Sequence, residues 1–195
     1  MLRLLFSVLW AAALCAPVLA QTAPTIASLS NSQTVTEGRA VTLTVSVNGT
    51  APFTYQWKKG GANITNATLS TLVLDPVRRT DDGSYTVTVT NSAGSVTSSP
   101  VTLAVTAATA PSGVYIYNYS YSTLYFGQTL TLSSAHSGSD PYTYQWKKDG
   151  IVIPGATTNS YSKANAQAAD AGSYTVTVTN IAGSSTSSAY AVTLQ

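Results

Sequence analysis

Apolar and polar residues alternate with a period of two along much of this chain. Val41, Leu43, Val45 and Val47 alternate with Thr42, Thr44 and Ser46. Tyr85, Val87 and Val89 do the same with Thr86, Thr88 and Thr90, and Val101, Leu103 and Val105 follow the pattern again. Side chains on a strand point to opposite faces in turn, so each run predicts a strand with one face in a core and the other in water. Turn signals separate the runs: Asn48-Gly49, Gly60-Gly61, Asp82-Gly83, Ala93-Gly94 and, strongest as a two-residue hairpin, Asp149-Gly150. No stretch carries the helical period. Short strands between closely spaced turns predict an all-β fold of antiparallel sheets.

The pattern occurs twice. Tyr55-Gln56-Trp57-Lys58-Lys59 returns as Tyr144-Gln145-Trp146-Lys147-Lys148, at an offset of 146 − 57 = 89 residues. At the same offset Asp81 to Asn91 returns as Asp170 to Asn180, with one difference in eleven positions. This offset has the length of a whole small domain rather than of a solenoid unit. The boundaries follow from composition: a first domain over 21–106, a linker over 107–111 rich in alanine and ending at Pro111, and a second domain over 112–195.

Three groups of residues then carry a resemblance. Gly38, Val41 and Leu43 precede Trp57; Leu72 and Leu74 follow it; Asp81-x-Gly83-x-Tyr85 comes next. The second copy has Gly127, Leu130 and Leu132, then Trp146, then Asp170-x-Gly172-x-Tyr174. In this order they resemble immunoglobulin-like domains of the intermediate-set type. The resemblance implies two antiparallel β-sandwiches in tandem, each of seven or eight strands. It implies that Trp57 and Trp146 fill the two cores, and that the hydroxyls of Tyr85 and Tyr174 bond back to nearby backbone as tyrosine corners. The chain departs from the family at the inter-sheet disulfide. Those places hold Val45 and Val87 in the first domain, and Ser134 and Val176 in the second. Such a bridge contributes about 2–5 kcal/mol in a small secreted domain, so packing must supply the cohesion. Cysteine-free domains of this kind are similar to those of secreted bacterial proteins.

The ends and the composition narrow the setting. Arg3, the apolar run Leu4 to Leu14 and the small residues before Gln21 read as a signal peptide over 1–20, cleaved after Ala20. Cleavage removes Cys15, the single cysteine, and leaves no membrane span. The expected location is therefore secreted, extracellular or at a cell surface. The remaining chain carries eight Lys and Arg against seven Asp and Glu. Nucleic-acid binding needs a clustered basic face, and none is visible.

Catalytic chemistry finds little material. His136 stands alone in His136-Ser137-Gly138-Ser139-Asp140, with no second histidine or partner cysteine, and reads as a solvated loop histidine. Asp81 and Asp82 are adjacent and, on a strand, point to opposite faces. No phosphate loop, zinc spacing or calcium loop is present, so no cofactor, metal or enzymatic activity is expected. Four Asn-x-Ser/Thr sequons, at Asn48, Asn63, Asn66 and Asn118, match what abundant threonine and serine give by chance. The second domain reads as the weaker. The offset carries Leu74 to Lys163, and a lysine directed into a core is costly. Either the register shifts there or the lysine stem leads its charge out to the rim.

One segment has no counterpart in the first copy. Tyr115, Tyr117, Tyr119 and Tyr121 recur at period two, whereas Thr25 to Glu37 contains no aromatic residue. On a strand all four share one face and form the candidate contact surface, either for a protein or glycan at a cell surface or as cover for the sandwich edge. The expected function is a non-catalytic binding or adhesion module, with a structural spacer, or a fragment of a larger extracellular protein with no ligand of its own, as the alternative, and carbohydrate binding by the tyrosine strand as a further option.

Overall fold

The computed structural model describes residues 20–118 and 124–195. Apart from Ala20, the expected leader lies outside them, as do Tyr119 and Tyr121. The alternating runs form strands. In the first domain these are β1 (Thr25–Leu29), β2 (Gln33–Thr36), β3 (Val41–Asn48), β4 (Thr54–Lys59), β5 (Ala62–Asn63), β6 (Thr71–Leu74), β7 (Gly83–Asn91), β8 (Gly94–Thr97) and β9 (Val101–Thr106). One sheet has the order β1-β3-β6. The other runs β2-β9-β7-β4-β5, with β8 also paired to β7. Val41, Leu43 and Val45 from the first sheet meet Trp57, Val87, Val89 and Leu103 from the second in one buried core.

The second domain repeats the plan with β10 (Ser112–Tyr117), β11 (Leu130–Ser137), β12 (Thr143–Lys148), β13 (Ile151–Val152), β14 (Ser160–Lys163), β15 (Gly172–Asn180), β16 (Gly183–Thr186) and β17 (Tyr190–Val192). Its sheets run β10-β11-β14 and β13-β12-β15-β16, with β17 on β15. The parallel pairing of Val35 with Val105 returns 89 residues later as the bridge between Leu124 and Leu194. Turn chemistry returns too. Gly60-Gly61 and Asp149-Gly150 both have positive φ at their two central positions, the backbone that lets a two-residue hairpin follow the strand twist.

Both tryptophans are fully buried. Each indole donates its Nε1 proton to a backbone carbonyl: Trp57 to Leu69 at 3.0 Å and Trp146 to Thr158 at 2.9 Å. Tyr85 donates its hydroxyl to the carbonyl of Asp81, and Tyr174 to that of Asp170, each at 2.7 Å. Val45, Val87, Val176 and Ser134 are buried where the family places its disulfide. Ser134 donates both its amide and its hydroxyl to the carbonyl of Asn159, at 2.9 and 3.0 Å, so its polar atom is satisfied within the core.

Three details differ from the sequence reading or resolve it. Lys163 pairs with Leu130 as Leu74 pairs with Val41, so the register does not shift; the lysine is exposed at the strand end. Asp81 and Asp82 do not lie on a strand. Asp81 closes a 3-10 turn and its Oδ2 accepts the amide of Arg78, while Asp82 Oδ2 accepts the amide of Val105. His136 is not a loop residue: it lies near the end of β11 and is half-buried.

Candidate functional site

The tyrosine segment is divided by its own alternation. Val114 and Ile116 enter the core, while Tyr115 is 54% exposed and Tyr117 half-buried. Their rings lie 6.0 Å apart. Register locates the extra length of this segment. Ile116 pairs with Ser134 as Leu29 pairs with Val45, and Leu124 bridges Leu194 as Val35 pairs with Val105. The interval is 124 − 116 = 8 in the second domain against 35 − 29 = 6 in the first, so the two additional residues fall between Ile116 and Leu124. Tyr115 occupies the place of Ser28, on the outer face of the three-stranded sheet.

The joint between the domains was not legible in the sequence. Arg39, from the turn before β3, forms an ion pair with Asp140, before β12. Gly38 has φ +96 and approaches Ile181 and Pro141; a Cβ there would stand 3.1 Å from Ile181 Cγ2. Pro76, Arg78, Pro141, Tyr142 and Ile181 line a cleft of about 240 Å³ beside this contact. Gly38 and Pro141 have counterparts at the offset, Gly127 and Pro52, but the others are not repeated: Arg39 becomes Gln128, Pro76 Asn165 and Arg78 Gln167, while Asp140 stands where the first copy has Ala51, Tyr142 where it has Phe53, and Ile181 where it has Ser92.

Two asparagines lock the same end of each domain, which is the joint end only in the second. Asn91 Nδ2 donates to the carbonyls of Thr22 and Thr50, and its Oδ1 accepts the amides of Ala93 and Gly94. Asn180 repeats this with Thr109, Ser139 and Ala182. The linker residue Thr109 is thereby tied to the second domain. Its neighbours Ala107-x-Thr109-Ala110-Pro111 match Ala20-x-Thr22-Ala23-Pro24, the segment held by Asn91.

His136 sits close to the joint in an aromatic cluster. Its ring meets Tyr142 edge-on, with centroids 4.3 Å apart, and its Nε2 is 3.1 Å from the Tyr144 hydroxyl. Its Nδ1 is buried without a hydrogen-bond partner. Burial, and after it the neighbouring Tyr142, raises the pKa of the Tyr144 phenol. Burial also pushes the Tyr85 phenol up to about 12, with Asp81 and Asp82 adding to the rise. The Tyr174 phenol is raised further by burial, then by Tyr161, Asp170 and Asp149. The hydrogen bond from Lys148 holds the Asp149 carboxyl below the usual range. Among the described residues, no group of three or more His, Cys, Asp or Glu is placed to hold a metal ion, and no helix is long and apolar enough to cross a membrane.

The outer face of the larger sheet carries a grid of polar side chains. In the first domain Lys58 stands opposite Thr86, Gln56 opposite Thr88 and then Thr97, and Thr54 opposite Thr90 and then Ser95. In the second domain the register is the same and so is every residue: Lys147 with Thr175, Gln145 with Thr177 and Thr186, Thr143 with Thr179 and Ser184. Neighbouring hydroxyls bond across the strands, Thr88 to Thr97 at 3.0 Å and Thr177 to Thr186 at 2.9 Å.

Comparison with known proteins agrees with this architecture. The family model described as an immunoglobulin domain matches residues 23–91, and that of the immunoglobulin I-set domain matches residues 119–192. A stretch of 55 residues is 56% identical to the decoration protein of Escherichia phage T5, covering 28% of this chain and 34% of that protein. The match thus spans about a third of the length of that relative. A chimeric titin Z1Z2 structure matches 91% of this chain and 99% of its own, with a TM-score of 0.62 and 24% identity, a likeness of fold alone. The two family matches together take in well over half of the residues, and the chain belongs to the immunoglobulin-domain family as two immunoglobulin-like sandwiches in tandem.

Proposed function

We propose that this chain is an exported, non-catalytic module that attaches to the outer surface of a larger structure, in the manner of a bacterial surface-binding or adhesion protein. The leader is cleaved after Ala20, and the working unit is residues 21–106 and 112–195 joined by 107–111. The observation that carries this reading is the 56% identity over 55 residues to a protein named for decorating a phage. Fold alone is a poor guide to function, because immunoglobulin-like sandwiches serve many purposes. A short stretch of high identity supports more, since it includes surface as well as core. The joint favours a second role as spacer: an ion pair, a close glycine contact and a tied linker hold the two domains in one arrangement.

The test is co-sedimentation. Fluorescently labelled protein is mixed with intact cells of the source organism and the pelleted fraction is measured against concentration. Saturable binding, competed by unlabelled protein, is the expected result. Protein that stays in the supernatant at every concentration leaves only the spacer role.

A further inference from the structure

β6 is an open sheet edge. It pairs with β3, and among the described residues no strand lies on its other side. Val45 donates its amide to the carbonyl of Ser70, and hydrogen-bonded pairs alternate with non-bonded pairs along an antiparallel ladder. Leu72 and Leu74 therefore turn their backbone groups toward β3, and Thr71 and Val73 turn theirs out of the sheet. The edges of the two three-stranded sheets differ in their protection. β1 and β10 each carry a bulge, and β14 ends in the exposed Lys163. Bulges and edge lysines keep a strand from pairing with another chain. β6, Thr71-Leu72-Val73-Leu74, has neither. The edge is also apolar. Leu69 is 67% exposed and Val73 60%, where the second domain has Thr158 and Ser162. Ile64, Ala67 and Leu69, with Thr71 and Val73, line a groove of about 360 Å³ along it.

The occupant of this edge must bring an extended backbone with its own outward N–H and C=O groups, apolar side chains on one face, and no charge. β6 itself meets all three conditions. An antiparallel pair of identical strands has a two-fold axis, so β6 can pair with β6 of a second copy. With Leu72 facing Leu72 of the second copy, Thr71 stands opposite Val73 and Val73 opposite Thr71. These are the residues whose backbone groups point outward, and each such pair exchanges both of its N–H···O bonds. The two Val73 side chains become diagonal neighbours on the outer face, within reach of each other. No charged residue lies within the paired stretch, and Asp75, the next outward residue, is exposed and keeps its carboxylate at the rim. The corresponding edge of the second domain carries Lys163, so each chain offers one edge of this kind. The contact is then isologous and closes at a dimer instead of growing into a filament.

We propose that the first domain pairs with a second copy of this chain through β6, joining the two three-stranded sheets into one across a two-fold axis. The pairing does not depend on the surface-attachment reading. Sedimentation velocity of the exported chain, over concentrations up to about 1 mM, reads the association. The mean sedimentation coefficient should rise with concentration from monomer toward dimer. V73K, which gives this edge a charge as β14 has, should weaken dimerisation by more than about tenfold, because the two ammonium groups would face each other across the axis. L69S should weaken it as well. Both side chains are exposed, and an unaltered thermal midpoint verifies folding of each variant. I151K, at the 74% exposed residue on the short edge strand β13, should leave the association unchanged. Cysteine cross-linking reads the register. Hydrogen-bonded partners have Cα atoms about 5.5 Å apart, within the range a disulfide spans. An oxidised mixture of T71C and V73C proteins should therefore give cross-linked heterodimer well in excess of the homodimer that either gives alone. A monomer at every concentration overturns the proposal. So does a dimer that V73K and L69S leave intact, one that I151K abolishes, which would place the contact at β13, or one in which the mixed cross-link has no advantage.

Discussion

Arg39 of the first domain and Asp140 of the second form an ion pair across the joint. Both side chains are half or more exposed, so the pair adds little to the stability of either sandwich, about 0–1 kcal/mol for contacts of this class. Its effect is on orientation. Arg39→Gln should broaden the distribution of inter-domain distances measured by single-molecule energy transfer between labels in the two domains. Added salt at about 1 M, where the screening length falls to about 3 Å, should do the same to the wild type. Thermal midpoints should hardly move. An unchanged distribution for both would show that Ile181 against Gly38 and the tied linker hold the joint unaided.

His136 stands where the first domain has Val47. Its Nδ1 is buried and unpartnered, a condition that costs about 1–3 kcal/mol in desolvation. Against this it has one bond to the Tyr144 hydroxyl and an edge contact with Tyr142. Restoring the first domain's residue by His136→Val should stabilise the second domain by about 1 kcal/mol, a rise of about 4–8 °C in its midpoint for a domain of this size. A lower midpoint would mean that the contacts of His136 with Tyr142 and Tyr144 outweigh its unpartnered nitrogen.

The two corner tyrosines set an alkaline limit on stability. The Tyr85 phenol is pushed from 10 up to about 12 by burial first and nearby carboxylates second, and that of Tyr174 rises as well. A raised folded value means that the native state holds its proton more tightly than the unfolded chain. The stability is therefore fully present below about pH 10 and is lost as pH rises toward and through the folded value. Chemical denaturation between pH 9 and about 12 should show this fall. Y85F and Y174F should each flatten it, while lowering stability at neutral pH because the bonds to Asp81 and Asp170 are gone. A steep alkaline fall that persists in Y85F/Y174F would assign it to other groups.

The strands and the two cores were legible because period-two alternation and the tryptophan and tyrosine positions are local signals, written twice. The joint was not. Arg39 and Asp140 lie 101 positions apart, and neither is unusual among its neighbours. Asn91 and Asn180 were equally silent: both sit inside the longest repeated segment, which explains their identity as readily as their hydrogen bonds do. Lys163 shows the limit of reasoning from polarity. A lysine in a core register is costly only if its ammonium stays inside, and at a strand end the stem reaches water.

The two sandwiches should differ in their response to loss of the central ring. Trp57 and Trp146 are equally buried and identically bonded, and truncation of such a residue costs about 3–5 kcal/mol. Their surroundings are not equal. Trp57 packs in a core with Leu72, Val45 and Val77. In the second domain those places hold Tyr161, Ser134 and Ala166. Tyr161 compensates in part, with its ring 6.2 Å from Trp146 and 5.8 Å from Tyr174, but this aromatic row depends on the tryptophan at its end. W146A should therefore leave the second domain unfolded at ambient temperature, while W57A leaves the first folded with a lowered midpoint. Calorimetry of the intact chain would display this as loss of one transition in W146A and displacement of one in W57A. Two retained transitions in both variants, shifted alike, would place the strength of the second domain in its shared β12–β15–β16 sheet rather than in the packing that Ser134 and Tyr161 have altered.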